Sequence, residues 1–152
     1  MCSLCPVSSE SSSHILLDCL HALNLWRWFA SIFGCTLNFQ TKEDIWNIYN
    51  GSWNPQCKVV VNAALINLIY SIWFARNQIR FQNKKIPWKS SIASIFSNVA
   101  LTGNLSKKVA SPSIANFVIL KEFNVYLHPP RAPNIIEVIW QPPIRWIKYN
   151  TY

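Results

Sequence analysis

Residues 59–75 read VVVNAALINLIYSIWFA, and this is the longest apolar stretch in the 152-residue chain. Its length approaches the ~20 residues that a membrane-spanning helix needs. Asn62, Asn67 and Ser71 interrupt the stretch, which favours a helix packed in a protein core. We therefore predict a long core helix over Cys57–Gln82. A small membrane-associated protein with a span near 59–75 is the alternative.

Further helices are predicted on both sides of this segment. Apolar residues recur there at spacings of three and four, as on one face of an amphipathic helix. Gly34 is typical of a helix end, and Ser111-Pro112 is typical of a helix start with proline in the first position. Thr41 with Asp44 resembles an N-cap and its acidic third position. The predicted ranges are His14–Phe33, 41–49, Trp88–Leu101 and 111–127.

The pattern changes after Leu127. Residues 128–133 read HPPRAP, and three prolines in six residues are typical of an extended linker. Residues 145–149 alternate as in a strand, but too little chain follows to supply a sheet. We therefore predict a mainly α fold in which a small zinc-knuckle-like segment lies on a helical bundle, followed by a Pro-rich linker and an orphan strand. The predicted divisions are 1–35, 36–127 and 128–152.

Charge is distributed unevenly along the chain. Apolar residues make up 51% and charged residues only 13%, which excludes intrinsic disorder. Up to Ala75 the chain carries three basic and four acidic residues, a net charge of −1. The remainder carries eleven basic and two acidic residues, a net charge of +9. This asymmetry indicates an anionic partner, either nucleic acid or a membrane surface, unless the cations only solvate an apolar helix.

Four potential metal ligands lie near the start of the chain. Cys2, Cys5, His14 and Cys19 have the spacing C-x2-C-x8-H-x4-C. A pair of cysteines two residues apart can bind one ion from a tight turn, and a histidine and a third cysteine complete a tetrahedral set suited to Zn²⁺. Such a set leaves no open coordination position on the ion, so the predicted site is structural and not catalytic. His21 is a spare ligand and Cys35 is remote. Free thiols beside a surface histidine are the alternative.

A basic and aromatic stretch follows the apolar one. Residues 73–89 read WFARNQIRFQNKKIPWK. Its cations predict contacts with a nucleic-acid backbone, of RNA or DNA and independent of base sequence, and Phe81 and Trp88 could stack on exposed bases. Because Trp73 and Phe81 are eight residues apart, we expect them to lie in the core rather than to stack on bases. A solvated face is the alternative interpretation of the cations. The candidate phosphate-binding residues are Arg76, Arg80, Lys84, Lys85 and Lys89.

Three short motifs occur one after another along the chain: CSLC at 2–5 followed by His14, Cys19 and LW at 25–26; IW, RN and F between 72 and 81; and WQPP with WIKYNT between 140 and 151. In this order they resemble the plant LINE-type (non-LTR) retrotransposon polyproteins downstream of their reverse transcriptase. The first is similar to the end of the zinc-binding domain of reverse transcriptase. The second is similar to the helix that follows it, and the third to the entry into ribonuclease H.

The resemblance implies a zinc-binding, nucleic-acid-binding connector between two enzymes. After the NT motif the family continues with an Asp that opens the ribonuclease H active site, and here Tyr152 stands in that position. Ribonuclease H chemistry needs several carboxylates around two Mg²⁺ ions, so we predict no enzymatic activity for this chain and no small-molecule substrate. A degenerate pseudogene product without function is an alternative.

Met1 is followed directly by Cys2-Ser-Leu-Cys5 rather than by the basic and then apolar run of a secretory signal. We accordingly expect an intracellular location, in the nucleus or the cytoplasm. Thiols or metal ligands are expected there rather than disulfides.

Overall fold

The computed structural model describes residues 1–5, 7–36 and 42–132. Within them the chain forms a π-helical turn, His14–Asp18, and five α-helices. These are α1 (Leu20–Phe33), α2 (Lys42–Tyr49), α3 (Pro55–Gln82), α4 (Trp88–Leu105) and α5 (Ile114–Glu122). The mainly α fold class is thus confirmed. Thr41, the predicted strand and the linker beyond Ala132 lie outside the described residues.

The helix expected over His14–Phe33 is interrupted. Cys19 has extended backbone angles (φ −64°, ψ 136°), and its N–H donates to the carbonyl of His14 at 2.7 Å. In a continuous α-helix, two residues five apart would point about 140° away from each other. The break at Cys19 therefore allows its side chain and that of His14 to meet. The predicted end is confirmed, since Gly34 (φ 63°) donates its N–H to the carbonyl of Ala30.

Helix α3 is the central element of the bundle and packs most extensively on α4. It begins two residues earlier than expected, because Asn54 caps it: its Oδ1 accepts from the N–H of Cys57 at 2.7 Å, and Pro55 takes the first helical position. Leu68 and Ile72 on α3 are fully buried. Helix α4 continues past the predicted Leu101 to Leu105.

Helix α5 corrects the prediction for residues 111–127. The helix begins at Ile114 because Ser113, not Ser111, is its N-cap, with its Oγ accepting from the N–H of Asn116 at 3.4 Å. It ends at Glu122, and an extended segment follows. Buried Gln56 holds this segment by donating to the carbonyl of Tyr126 at 2.6 Å and accepting from the N–H of His128 at 3.0 Å. The helix ends before Leu127 because Asn124 takes left-handed backbone angles (φ 54°), and the buried amide fixes the segment that follows.

An aromatic cluster fills the space between α1 and the other helices. Trp26, Phe29 and Phe123 are almost completely buried, and Phe33 stacks on Phe29 with ring centroids 4.2 Å apart. The indole N–H of Trp26 donates to the carbonyl of Leu16 at 2.7 Å. Burial of an aromatic side chain contributes about 3 kcal/mol. This cluster therefore fixes α1, and the cysteines and histidine that precede it, against the bundle.

Among the described residues, α3 alone has the length and apolar composition to cross a membrane. Half of its most apolar window is buried inside the fold. The core helix of a soluble protein passes the same test. The buried half of α3 agrees with the predicted core helix, but two expected core side chains are exposed: Trp73 is 54% exposed and Phe81 is 73% exposed. Their prediction as core residues was wrong because α4 covers the opposite side of the helix.

Candidate metal centre

The structure brings Cys2, Cys5, His14 and Cys19 together in one buried cluster. Their potential ligand atoms all lie within 4.8 Å of one another. The sulfurs of Cys2 and Cys19 are 4.0 Å apart, and the sulfur of Cys5 is 3.2 Å from Nε2 of His14. Sulfurs bound tetrahedrally at about 2.3 Å from zinc would lie about 3.8 Å apart. The arrangement thus matches in size a site that could hold a metal ion.

Short hydrogen bonds shape the loop that carries the first two ligands. The N–H of Cys2 donates to the carbonyl of Ser8 at 2.8 Å and closes the loop on itself. The N–H of His14 donates to Oγ of Ser11 at 3.1 Å, which starts the π-helical turn. Cys2 and Cys5 therefore come from a closed loop, whereas His14 and Cys19 flank the helical turn.

The thiols of the cluster differ in acidity. A hydrogen bond from the backbone of Val7 lowers the pKa of Cys5 to about 7, helped by the neighbouring His14 and opposed by burial. Burial is the main cause that raises the pKa of Cys19 to about 12. A bound cation reverses that effect because a coordinating thiol loses its proton. The cluster thus contains one thiol that ionises readily and one that needs a metal to do so.

The donor set determines which chemistry this cluster can perform. Three sulfurs and one imidazole nitrogen are soft and borderline ligands, and a tetrahedral ion bound by all four has no free position for a substrate.

Neither His21 nor Cys35 joins the cluster among the described residues. Nε2 of His21 is buried without a hydrogen-bond partner in the described part of the chain, and burial with the nearby Lys85 lowers its pKa.

Glu10 is a site residue that sequence reasoning missed. Its Oε2 accepts from the N–H and Oγ of Ser3 at 3.2 and 3.0 Å. Its Oε1 accepts from Nε of Arg76 at 3.0 Å, from Nη2 of the same residue and from Nη1 of Arg80 at 3.1 Å. The hydrogen bond from Arg76 is the main cause that lowers the pKa of Glu10 to about 2. Glu10 therefore joins residues 1–19, which we call the metal loop, to α3.

This contact divides the five candidate phosphate-binding residues. Arg76 is half-buried and its guanidinium is paired with Glu10, while Arg80 is exposed and shares the same carboxylate. The three lysines are exposed and surround the connection between α3 and α4. They are Lys84, Lys85 and Lys89. The cations most accessible to a phosphate are therefore these lysines, followed by Arg80.

Comparison with known protein families, curated proteins and solved structures finds no significant match for this chain.

Proposed function

We propose that the chain is a non-catalytic, zinc-stabilised helical module that binds the phosphate backbone of nucleic acid without sequence preference. The cluster of Cys2, Cys5, His14 and Cys19 carries this proposal, because four buried soft ligands within 4.8 Å are the arrangement that structural zinc sites use. The module corresponds to the connector that the resemblance to LINE-type reverse transcriptases implies, in the nucleus or cytoplasm, and takes no small-molecule substrate.

The proposed role of the ion is structural. Residues 1–13 contain few apolar side chains and contribute little hydrophobic burial of their own. A zinc ion bound by both Cys2 and Cys19 would tie this loop to the start of α1, and its binding free energy would act as folding free energy. The thiols and the imidazole, which contact one another in the metal-free cluster, would then bind the ion instead.

The distribution of charge supports nucleic acid as the partner. The sequence has no Asp or Glu between Asp44 and Glu122, so α3, α4 and their connection carry cations only. Lys84 and Lys85 are exposed in that connection, and Lys89 is exposed in the first turn of α4. A polyanion releases counterions when it binds such a surface, and its affinity then falls as the salt concentration rises.

Cobalt titration tests the metal part of the proposal. One equivalent of Co²⁺ added to the metal-free full-length chain should give the absorption of a tetrahedral cobalt–thiolate site. Zn²⁺ should then displace the Co²⁺ and abolish this absorption. Cys5→Ser should weaken or abolish this signal. The matched control is Cys35→Ser, which removes a half-buried thiol outside the cluster and should leave the signal unchanged. Equal spectra for all three chains would contradict the site.

Salt-dependent binding tests the nucleic-acid part. The zinc-loaded chain should bind a labelled oligonucleotide at low salt, with an affinity that falls linearly on a logarithmic salt scale. Lys84→Glu/Lys85→Glu should weaken binding alike for all base sequences. Absence of binding at low salt, or an affinity that salt does not change, would contradict this part while leaving the zinc site standing.

A further inference from the structure

Four aromatic side chains lie along one outward side of α3. Tyr70, Trp73, Phe74 and Phe81 are all exposed. The last three follow Tyr70 by three, four and eleven residues, which places all four on one helix face. We call these four residues the aromatic face. It extends for about 16 Å along the helix. Four large exposed apolar side chains on one helix face make it a candidate binding surface.

Neighbouring rings of this face lie about 6 Å apart with small angles between their planes. Tyr70 and Phe74 are stacked, with centroids 5.9 Å apart and 18° between their planes. Trp73 lies 6.0 Å from Tyr70 at 36°. The guanidinium of Arg80 is 6.0 Å from the centre of the Phe81 ring. Three neighbouring rings are thus followed along the helix by a ring with a cation beside it, and the exposed Lys84 and Lys85 come next in the chain.

This combination fits one class of ligand. The ligand should carry negative charge, because α3 and α4 contain no carboxylate and the carboxylate of Glu10 beside Arg80 is already shared with Arg76, and it should also present flat apolar faces to the exposed rings. Single-stranded nucleic acid has both features, whereas a duplex hides its base faces in the stack. Stacking of bases on aromatic side chains beside a basic groove is the general mode of single-strand binding.

We propose that the aromatic face binds single-stranded nucleic acid, with unpaired bases stacked on its rings and phosphates held by Arg80, Lys84 and Lys85. This inference rests on the proposed nucleic-acid binding and specifies its substrate as single strands.

Two other occupants fit the observations less well. Helices that lie on membranes separate an apolar face from a charged one, whereas here Arg80 lies beside the Phe81 ring and the opposite side of α3 is core. A second copy of the chain would bring two surfaces of like charge together.

Competition between three matched probes tests the inference. The zinc-loaded full chain is titrated with a single-stranded oligodeoxynucleotide of mixed sequence, with an abasic strand of the same number of phosphates, and with a duplex of the same sequence. The single strand should bind on the order of tenfold more tightly than the abasic strand, which keeps the charge but lacks the bases.

Variants assign this difference to the aromatic face. Trp73→Leu/Phe81→Leu keeps two exposed apolar side chains but removes their planar rings. It should reduce single-strand affinity to that of the abasic strand. The matched control is Trp46→Leu, an equally exposed ring on α2 outside the face, which should leave affinity unchanged. Far-UV circular dichroism confirms that each variant is folded.

The possible failures are distinguishable. Equal affinity for all three probes, or an unchanged single-strand affinity in the double variant, overturns the inference and leaves backbone binding intact. Absence of binding to any probe at low salt overturns the proposed nucleic-acid function as well. If Trp73→Leu/Phe81→Leu loses binding to phosphatidylserine-containing vesicles, or loses self-association in sedimentation, while oligonucleotide affinity stays constant, the face serves a membrane or a second copy and the inference is wrong.

Discussion

The metal loop, residues 1–19, and the helical pair α3–α4 are stabilised by different forces. The helical pair buries Leu68, Ile72, Ile95 and Val99 completely, so hydrophobic burial accounts for its stability. The metal loop instead concentrates polar contacts around four ligand atoms and the carboxylate of Glu10. The proposed zinc site implies that one short chain combines a core that needs only its own side chains with a segment whose order depends on an ion.

Removal of the metal is the largest expected perturbation of this contrast. Structural zinc contributes on the order of 10 kcal/mol to small zinc domains. A chelator should therefore abolish amide protection in residues 2–19, while α3 and α4 keep theirs. Hydrogen exchange of the zinc-loaded and chelated chains measures this. Protection lost uniformly along the chain would show that the two regions are not independent.

A cavity in the helical pair should instead weaken α3 and α4. Leu68 is fully buried, so Leu68→Ala should lower the free energy of unfolding by about 2–5 kcal/mol through lost transfer energy and an unfilled cavity. Urea denaturation of the zinc-loaded chain measures the loss. Leu105→Ala, at an exposed position on α4, is the control and should change stability by less than about 0.5 kcal/mol. Similar losses for both would mean that α3–α4 packing is not the main source of stability.

The connection between the two regions should depend on pH through Glu10. Pairing with Arg76 lowers the pKa of Glu10 from 4.5 to about 2 in the folded chain. The carboxylate therefore stabilises the fold fully above pH 4.5, and this contribution is lost as the pH falls from 4.5 towards 2. Glu10→Gln should be less stable than the parent chain at pH 6, with the difference shrinking over that interval.

Thermal unfolding of both zinc-loaded proteins at several pH values measures this difference, because the metal keeps the segment around Glu10 ordered and any release of zinc at low pH is common to both. Glu122→Gln at an exposed position on α5 is the charge-matched control. A stability difference for Glu10→Gln that stays constant from pH 6 to pH 2 would contradict the ion pair.

The smallest expected effect concerns the start of α3. Asn54→Ala removes the cap that accepts from the N–H of Cys57 and should cost about 1 kcal/mol. Asn54→Asp keeps an acceptor at the same place and should restore most of the loss. Urea denaturation of the two variants makes the comparison. Equal stability of both variants would show that the side-chain cap does not contribute.

The helices and the ligand cluster were predictable because their signals are local. Spacing of apolar residues indicated α3 and α4, and the spacing C-x2-C-x8-H-x4-C brought four ligands within reach of one another. A single histidine and three cysteines within eighteen residues leave few alternative arrangements. Local sequence therefore sufficed wherever the interacting residues are close along the chain.

Features that depend on distant residues were not predictable. Glu10 pairs with an arginine 66 residues away, and nothing in the local sequence selects that partner. Gln56 fixes the segment after α5 by binding backbone 70 and 72 residues later. Trp73 and Phe81 follow helical spacing, but the side of α3 that becomes core is decided by where α4 packs. These outcomes are properties of tertiary packing.

The central claim is that Cys2, Cys5, His14 and Cys19 bind one zinc ion. X-ray absorption at the zinc edge of the full-length, zinc-loaded chain tests it most directly. The account predicts one equivalent of zinc with three sulfur neighbours at about 2.3 Å and one nitrogen at about 2.0 Å. A first shell dominated by oxygen, or a spectrum that Cys5→Ser and Cys35→Ser alter alike, would contradict it.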